Sequence, residues 1–152
     1  NWQQLIENAF TPRQARALRL LEDGKSMTET EPKFARTAEQ AVHGNDTVIA
    51  IFGIGTDGHI AGILPDSPAA GEETVWAVGY EAAPLKRLTL TFPALKNIDS
   101  AYAFAFGEAK QAALHRLQTE NAPLAKQPAQ ILKQLPKAYV YSDQIEELEE
   151  ES

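Results

Sequence analysis

The sequence predicts an α/β layered domain built on a mainly parallel sheet, and three observations carry that expectation. Strand-like apolar runs alternate with helical segments along most of the chain after Thr47. The run Thr47–Phe52 is continuously β-branched, apolar or aromatic, the pattern of a strand buried on both faces. Of 152 residues, 43% are hydrophobic and 23% charged, which supports one folded core and excludes a disordered chain.

Taken in order, Leu5, Ile6 and Phe10 and then Ala15, Leu18, Leu20 and Leu21 recur at near-helical spacing around Thr11-Pro12, an N-cap followed by a first-turn proline. Asp23-Gly24 ends that helix, the polar stretch Ser26–Pro32 reads as a loop, and Phe34–His43 reads as a short helix stopped by Gly44. Thr47–Phe52 is then the central parallel strand. Thr74–Tyr80 and Arg87–Phe92 read as strands, the second alternating Leu88, Leu90 and Phe92 with Thr89 and Thr91 until Pro93 ends it. Ser100–Phe106 is another apolar run, closed by Gly107, and Glu108–Leu117 is a helix with Ala112, Ala113 and Leu117 towards the core. Asn121–Pro128 reads as a linker, Gln130–Leu135 as a short helix and Lys137–Tyr141 as a last strand.

This organisation predicts a single α/β domain over residues 1–142 and an acidic tail over 143–152. The tail holds Asp143, Glu146, Glu147, Glu149, Glu150 and Glu151 and no base, so it supplies six of the seven net negative charges. The body is close to neutral, with no basic stripe for nucleic acid and no footprint for an anionic membrane. No run approaches the roughly 20 apolar residues of a membrane span. No charged-then-apolar leader opens the chain, and a cytoplasmic location is expected. The chain has no cysteine, which excludes a disulfide framework, a thiolate metal site and a cysteine nucleophile; three scattered histidines leave little for zinc, and no metal is expected.

The candidate site follows the Thr47–Phe52 strand, in Gly53-Ile-Gly55-Thr-Asp57-Gly58-His59-Ile-Ala-Gly62-Ile-Leu-Pro65. Ligands of open α/β sheets bind at the carboxyl ends of strands, which places Asp57 and His59 at such a mouth. Glycines here allow positive φ and close backbone approach, and Gly55 and Gly58 are expected to offer N–H groups to an anion or oxyanion. Residues 53–58 also spell the dinucleotide pattern GxGxxG. That reading requires a long helix starting inside the motif, and Gly62 and Pro65 break the segment within two turns.

The segment resembles the signature of the 6-phosphogluconolactonase and glucosamine-6-phosphate deaminase superfamily, a buried strand followed by G-[IM]-G-x-D-G-H and a short turn ending in proline. Arg87-Leu-Thr-Leu-Thr91 resembles a strand of the lactonases, and Phe106-Gly-Glu-Ala-Lys110 resembles their G-x-x-K turn. Pro128-Ala129 and the last strand resemble the closing region. The resemblance implies a Rossmann-like deaminase/lactonase fold. It also separates the branches: deaminases carry a proton-transferring glutamate where this chain has Leu64, although Ile60-Ala61 is deaminase-like. The lactonase branch, hydrolysing a phosphorylated sugar lactone in the pentose phosphate pathway, is therefore favoured over a glucosamine-6-phosphate deaminase/isomerase.

Hydrolysis of a δ-lactone needs an activated water and a stabilised oxyanion, and no metal or organic cofactor. Imidazole titrates near neutral pH, so His59 is the candidate for activating water, with Asp57 orienting it or binding sugar hydroxyls. By resemblance Lys110, at the start of a helix, binds the substrate phosphate, with Arg87 a further substrate or phosphate contact. His43 and His115 read as structural or surface residues, and Trp2 and Trp76 as packing residues. The superfamily begins with a strand, a glycine-serine phosphate loop and an aspartate-glutamate-arginine motif that are absent here. The resemblance thus implies the carboxy-terminal larger part of a longer enzyme, with its first strands missing or supplied by another chain, or a homo-oligomer. A non-catalytic phosphosugar sensor is the reading from a different class; it has no need of His59.

Overall fold

The computed structural model describes residues 2–9 and 14–144. After a short helix α1 (Trp2–Glu7), the principal elements are α2 (Met27–His43), β1 (Ile49–Gly53), β2 (Ala77–Ala82), β3 (Leu85–Leu90), α3 (Phe92–Leu95), β4 (Ser100–Phe104), α4 (Gln111–Thr119) and β5 (Lys137–Tyr141). Short 3-10 turns cover Pro68–Gly71, Glu108–Lys110 and Pro128–Gln134.

The expected parallel sheet is present, in the order β1-β4-β5 with both pairings parallel. Its register rows run Ala50, Ala101, Ala138 and Phe52, Ala103, Val140 on one face. Ala101 and Ala103 are fully buried there, in a core shared with Leu95, Leu114 and Ile131; their small side chains let the covering elements approach closely. The other face carries Ile51, Tyr102 and Tyr139 in one row and Gly53, Phe104 and Tyr141 in the next. The ring pairs Tyr102–Tyr139 and Phe104–Tyr141 stack at 5.2 and 5.3 Å.

Two expectations for β1 are corrected. Among the described residues β4, not β1, is the central strand, and β1 is buried on one face only: Ile49 is 63% and Ile51 77% exposed. An uninterrupted apolar run records that both faces suit burial, not that both are covered in this structure. The strands expected at Thr74–Tyr80 and Arg87–Phe92 begin and end later and earlier, respectively. They pair antiparallel with each other as a separate two-stranded ribbon, Ala77 opposite Leu90 and Tyr80 opposite Arg87. Ala77 and Tyr80 of β2 and Thr89 of β3 are buried, as is Thr91 just after β3; both threonine hydroxyls have backbone partners.

The helical segments differ most at the start. Thr11, Pro12 and Phe10 lie outside the described residues, and 14–22 form no helix; Leu18 and Leu21 are exposed. Ser26–Pro32, expected as loop, is instead the capped start of α2. Ser26 and Glu29 form a reciprocal capping box, the Glu29 carboxylate accepting the Ser26 N–H at 2.9 Å and the Ser26 hydroxyl accepting the Glu29 N–H at 3.3 Å. That nucleus carries the helix through Pro32 at its sixth residue, where only one i→i−4 donor is lost. Gly44 ends α2 as expected. In α4 the buried residues are Ala113, Leu114 and Leu117; Ala112, expected inward, is exposed.

Candidate active site

Local geometry of the segment after β1 follows from where its isoleucines can hide. Ile54 and Ile60 form an antiparallel bridge, as do Ile60 and Ile63, and these three side chains are at most 2% exposed. Full burial of such a side chain stabilises by about 1.5–3 kcal/mol. Folding the chain back to bury them pushes the intervening polar residues, Thr56 and Asp57, to the tip. Gly55 N–H donates to the His59 carbonyl at 2.9 Å, and Gly58 N–H to the Gly55 carbonyl at 3.0 Å. The expectation that these two amides stand free for an anion is therefore corrected: both close the turn.

What the glycines supply is room. A Cβ on Gly55 would lie 2.0 Å from His59 Nδ1 and 2.6 Å from the Asp57 carboxylate, so the imidazole lies directly against this backbone. Gly58 has φ +81°, a conformation that disfavours other residues.

At the tip, His59 Nδ1 lies 2.6 Å from Asp57 Oδ1, and the same oxygen accepts the His59 backbone N–H at 3.1 Å. Partial burial pushes the Asp57 carboxyl upward, but the hydrogen bonds from the His59 backbone and ring, with their charge attraction, outweigh it and hold the group below its ordinary value. An ionised carboxylate only accepts, so Nδ1 carries the hydrogen and the neutral ring presents the Nε2 lone pair. Among the described residues nothing bonds Nε2. The His59 side chain is 30% exposed, within reach of solvent water.

Lys110 is the last residue of the Glu108–Lys110 turn and precedes α4. Its ammonium donates to the Ile54 carbonyl at 2.7 Å, which fixes a positive charge at the root of the 55–59 turn and leaves two of its three N–H donors without partners among the described residues. The preceding Gly107 N–H is held at 2.9 Å by Asp143, the first acid counted with the tail; that bond keeps the Asp143 carboxyl below its ordinary value.

Arg87 lies on β3. It lines a cavity of about 990 Å³ together with Ala61, Gly62 and Thr89, on the other half of the same loop; Asp57, His59 and Lys110 do not line it. The Arg87 Nε is buried without a hydrogen-bond partner among the described residues.

Three residues that support the site escaped the sequence reading. The Tyr80 hydroxyl donates to the Gly62 carbonyl at 2.6 Å and accepts from Leu64 N–H at 3.3 Å, and the Thr89 hydroxyl accepts from Gly62 N–H at 3.0 Å. Gln127 is 0% exposed, although Asn121–Pro128 was expected to be a linker. Its segment is stitched to the loop through Asp66 N–H to the Ala125 carbonyl and Ala129 N–H to the Gly58 carbonyl. The threonine alternation signalled Thr89; nothing in the sequence singles out Tyr80 or Gln127.

Among the described residues no group of three or more acids and histidines could hold a metal ion, and no helix is long and apolar enough to cross a membrane. The chain is similar to 6-phosphogluconolactonases from Helicobacter pylori (33% identical over 87 residues, 55% of this chain and 38% of that protein) and Rattus norvegicus (37% over 91 residues, 55% and 35%). It thus spans well under half the length of the curated relatives it matches. Two solved 6-phosphogluconolactonase structures share the fold. The Thermotoga maritima enzyme aligns with TM-score 0.65 at 23% identity, covering 80% of this chain and 54% of that one. The Shewanella baltica enzyme aligns with TM-score 0.69 at 22% identity, covering 91% and 62%. The model of the family described as glucosamine-6-phosphate isomerases/6-phosphogluconolactonase matches residues 3–140, and this chain belongs to that family.

Proposed function

We propose that the protein is a hydrolase of the lactonase branch, opening 6-phosphoglucono-δ-lactone to 6-phosphogluconate in the cytoplasmic pentose phosphate pathway. The observation that carries this reading is the Asp57–His59 pair, with Nδ1 held at 2.6 Å and Nε2 left open. The names of the matched relatives support the same branch. So does Leu64, an apolar side chain that cannot move protons, at the position where the deaminase pattern has its glutamate.

In the proposed reaction His59 Nε2 takes a proton from water as its oxygen adds to the lactone carbonyl, giving a tetrahedral oxyanion and an imidazolium stabilised by Asp57. Collapse of the oxyanion breaks the bond to the ring oxygen, which receives the proton back from Nε2. Water is added, no redox change occurs, and the residues return to their starting state. Lys110 and Arg87 are the cations for the phosphate or carbonyl oxygen of the substrate, and Gly55 and Gly58 shape the turn that holds the base.

The test is turnover of fresh lactone by the protein expressed from its whole reading frame, corrected for spontaneous hydrolysis. His59→Ala is expected to lower the rate by about 10²–10⁴-fold in a folded protein. Phosphosugar binding without turnover in the wild type would instead establish a sensor, and ammonia release from glucosamine 6-phosphate would establish the deaminase branch.

A further inference from the structure

We propose that Gln127 is a positioning residue for His59, registering the catalytic turn against α4 through a buried amide clamp. The side chain lies directly beneath Gly58: a Cβ built there would fall 2.6 Å from Gln127 Cγ. Both ends of its amide are tied. Nε2 donates to the Ala113 carbonyl of α4 at 2.8 Å, and Oε1 accepts from Gln130 Nε2 at 2.8 Å. Gln130 in turn donates to the Glu120 carbonyl at 2.9 Å, just beyond the end of α4.

These bonds complete a circuit around the site. Lys110, immediately before α4, holds the Ile54 carbonyl at one root of the turn; Gln127, anchored on α4, supports Gly58 beside the other. Backbone bonds flank the clamp on both sides, Asp66 N–H to the Ala125 carbonyl at 2.8 Å and Ala129 N–H to the Gly58 carbonyl at 2.9 Å. His59 is the residue after Gly58, and its ring geometry depends on the same few backbone torsions. Leu114 and Leu117 are buried, so α4 is the fixed member and the turn the one that yields when the clamp is cut. An apolar residue would fill the space without specifying the turn, whereas a glutamine bonded at both ends has one orientation.

The first readout needs no activity: imidazole ¹⁵N NMR reports which ring nitrogen of His59 carries the hydrogen at a pH where the ring is neutral. The wild type is expected to hold the Nδ1–H form, and Gln127→Ala to raise the Nε2–H to Nδ1–H ratio at least threefold while the amide spectrum stays dispersed. Gln127→Met, which keeps the stem and loses the amide, gives the same direction if the alanine variant fails to fold. An unchanged tautomer ratio in either folded variant overturns the proposal and leaves Gln127 a core residue. The second readout rests on the lactonase reading: kcat falls about tenfold with KM within twofold, the scale of a misplaced catalytic group. An equal loss of stability with kcat unchanged per folded molecule also overturns it. Absence of lactone turnover in the wild type refutes the lactonase reading alone, because the tautomer measurement stands without it.

Discussion

Replacing Asp57 by asparagine removes one charge and little volume, so it isolates what the carboxylate does for His59. The carboxylate lies 2.6 Å from Nδ1 and its side chain is 46% exposed. Unit charges about 4 Å apart attract by about 4 kcal/mol at an effective dielectric of 20 and by about 1 kcal/mol in bulk water. A half-exposed, screened pair belongs near the lower end, at about 1–2 kcal/mol. In the proposed reaction the ring gains a proton as water attacks, so loss of that attraction falls on the barrier and corresponds to about 5–30-fold in kcat. The sign with pH follows from the depressed carboxyl. Its contribution to stability is fully present above the ordinary carboxylate value and is lost as pH falls through the lower folded value. The assay is kcat for the lactone across pH in wild type and Asp57→Asn, with melting measured alongside. Equal kcat in both proteins would show that Asp57 neither orients nor stabilises the imidazole.

Gly55→Ala places a methyl 2.0 Å from His59 Nδ1 and is expected to lower kcat by about 10²-fold, read by steady-state kinetics on a variant whose fold is verified by circular dichroism. Lys110→Met removes the charge and the bond to the Ile54 carbonyl; a rise in KM for the phosphorylated lactone or a fall in kcat is expected, and both unchanged would remove Lys110 from the substrate site. Ser26→Ala breaks the capping box of α2 and should lower stability by about 1 kcal/mol in denaturant unfolding without altering the chemistry.

How much of this was legible depended on whether the cause was local. The strand after Gly44, the β4 and β5 runs and the Asp57-Gly58-His59 turn are each specified by residues adjacent in sequence, and the structure holds all of them. The Ser26–Glu29 box was equally local, and it was missed because the polarity of Ser26–Pro32 resembles a loop as well as a helix start. Arg87-Leu-Thr-Leu-Thr91 was legible as a strand, but nothing local says that Thr89 turns inward to meet Gly62, 27 residues earlier. The supports of the turn are more distant still: Lys110 reaches Ile54 across 56 positions, and Ala129 bonds Gly58. Gln127 in a stretch of prolines, alanines and lysines carries no periodic signal, and only the folded chain places it under the turn.

The spent amides of Gly55 and Gly58 also bear on where the charge of the proposed reaction would be met. A glycine-rich turn in sequence invites an oxyanion hole of backbone N–H groups, yet here those donors close the turn that holds His59 against Asp57. In the proposed reaction Lys110, the cation fixed at the root of that turn, is a side-chain candidate for stabilising the developing oxyanion. A lysine serving the carbonyl oxygen affects kcat, whereas one serving a remote phosphate affects KM, so the kinetics of Lys110→Met separate the two roles. Arg87 completes the contrast: it lines a cavity that Asp57, His59 and Lys110 do not line, and we propose it as the contact for a phosphate at the far end of the sugar. If Arg87 takes the phosphate, Lys110 is freed for the carbonyl, and the two substitutions should then show opposite splits between KM and kcat.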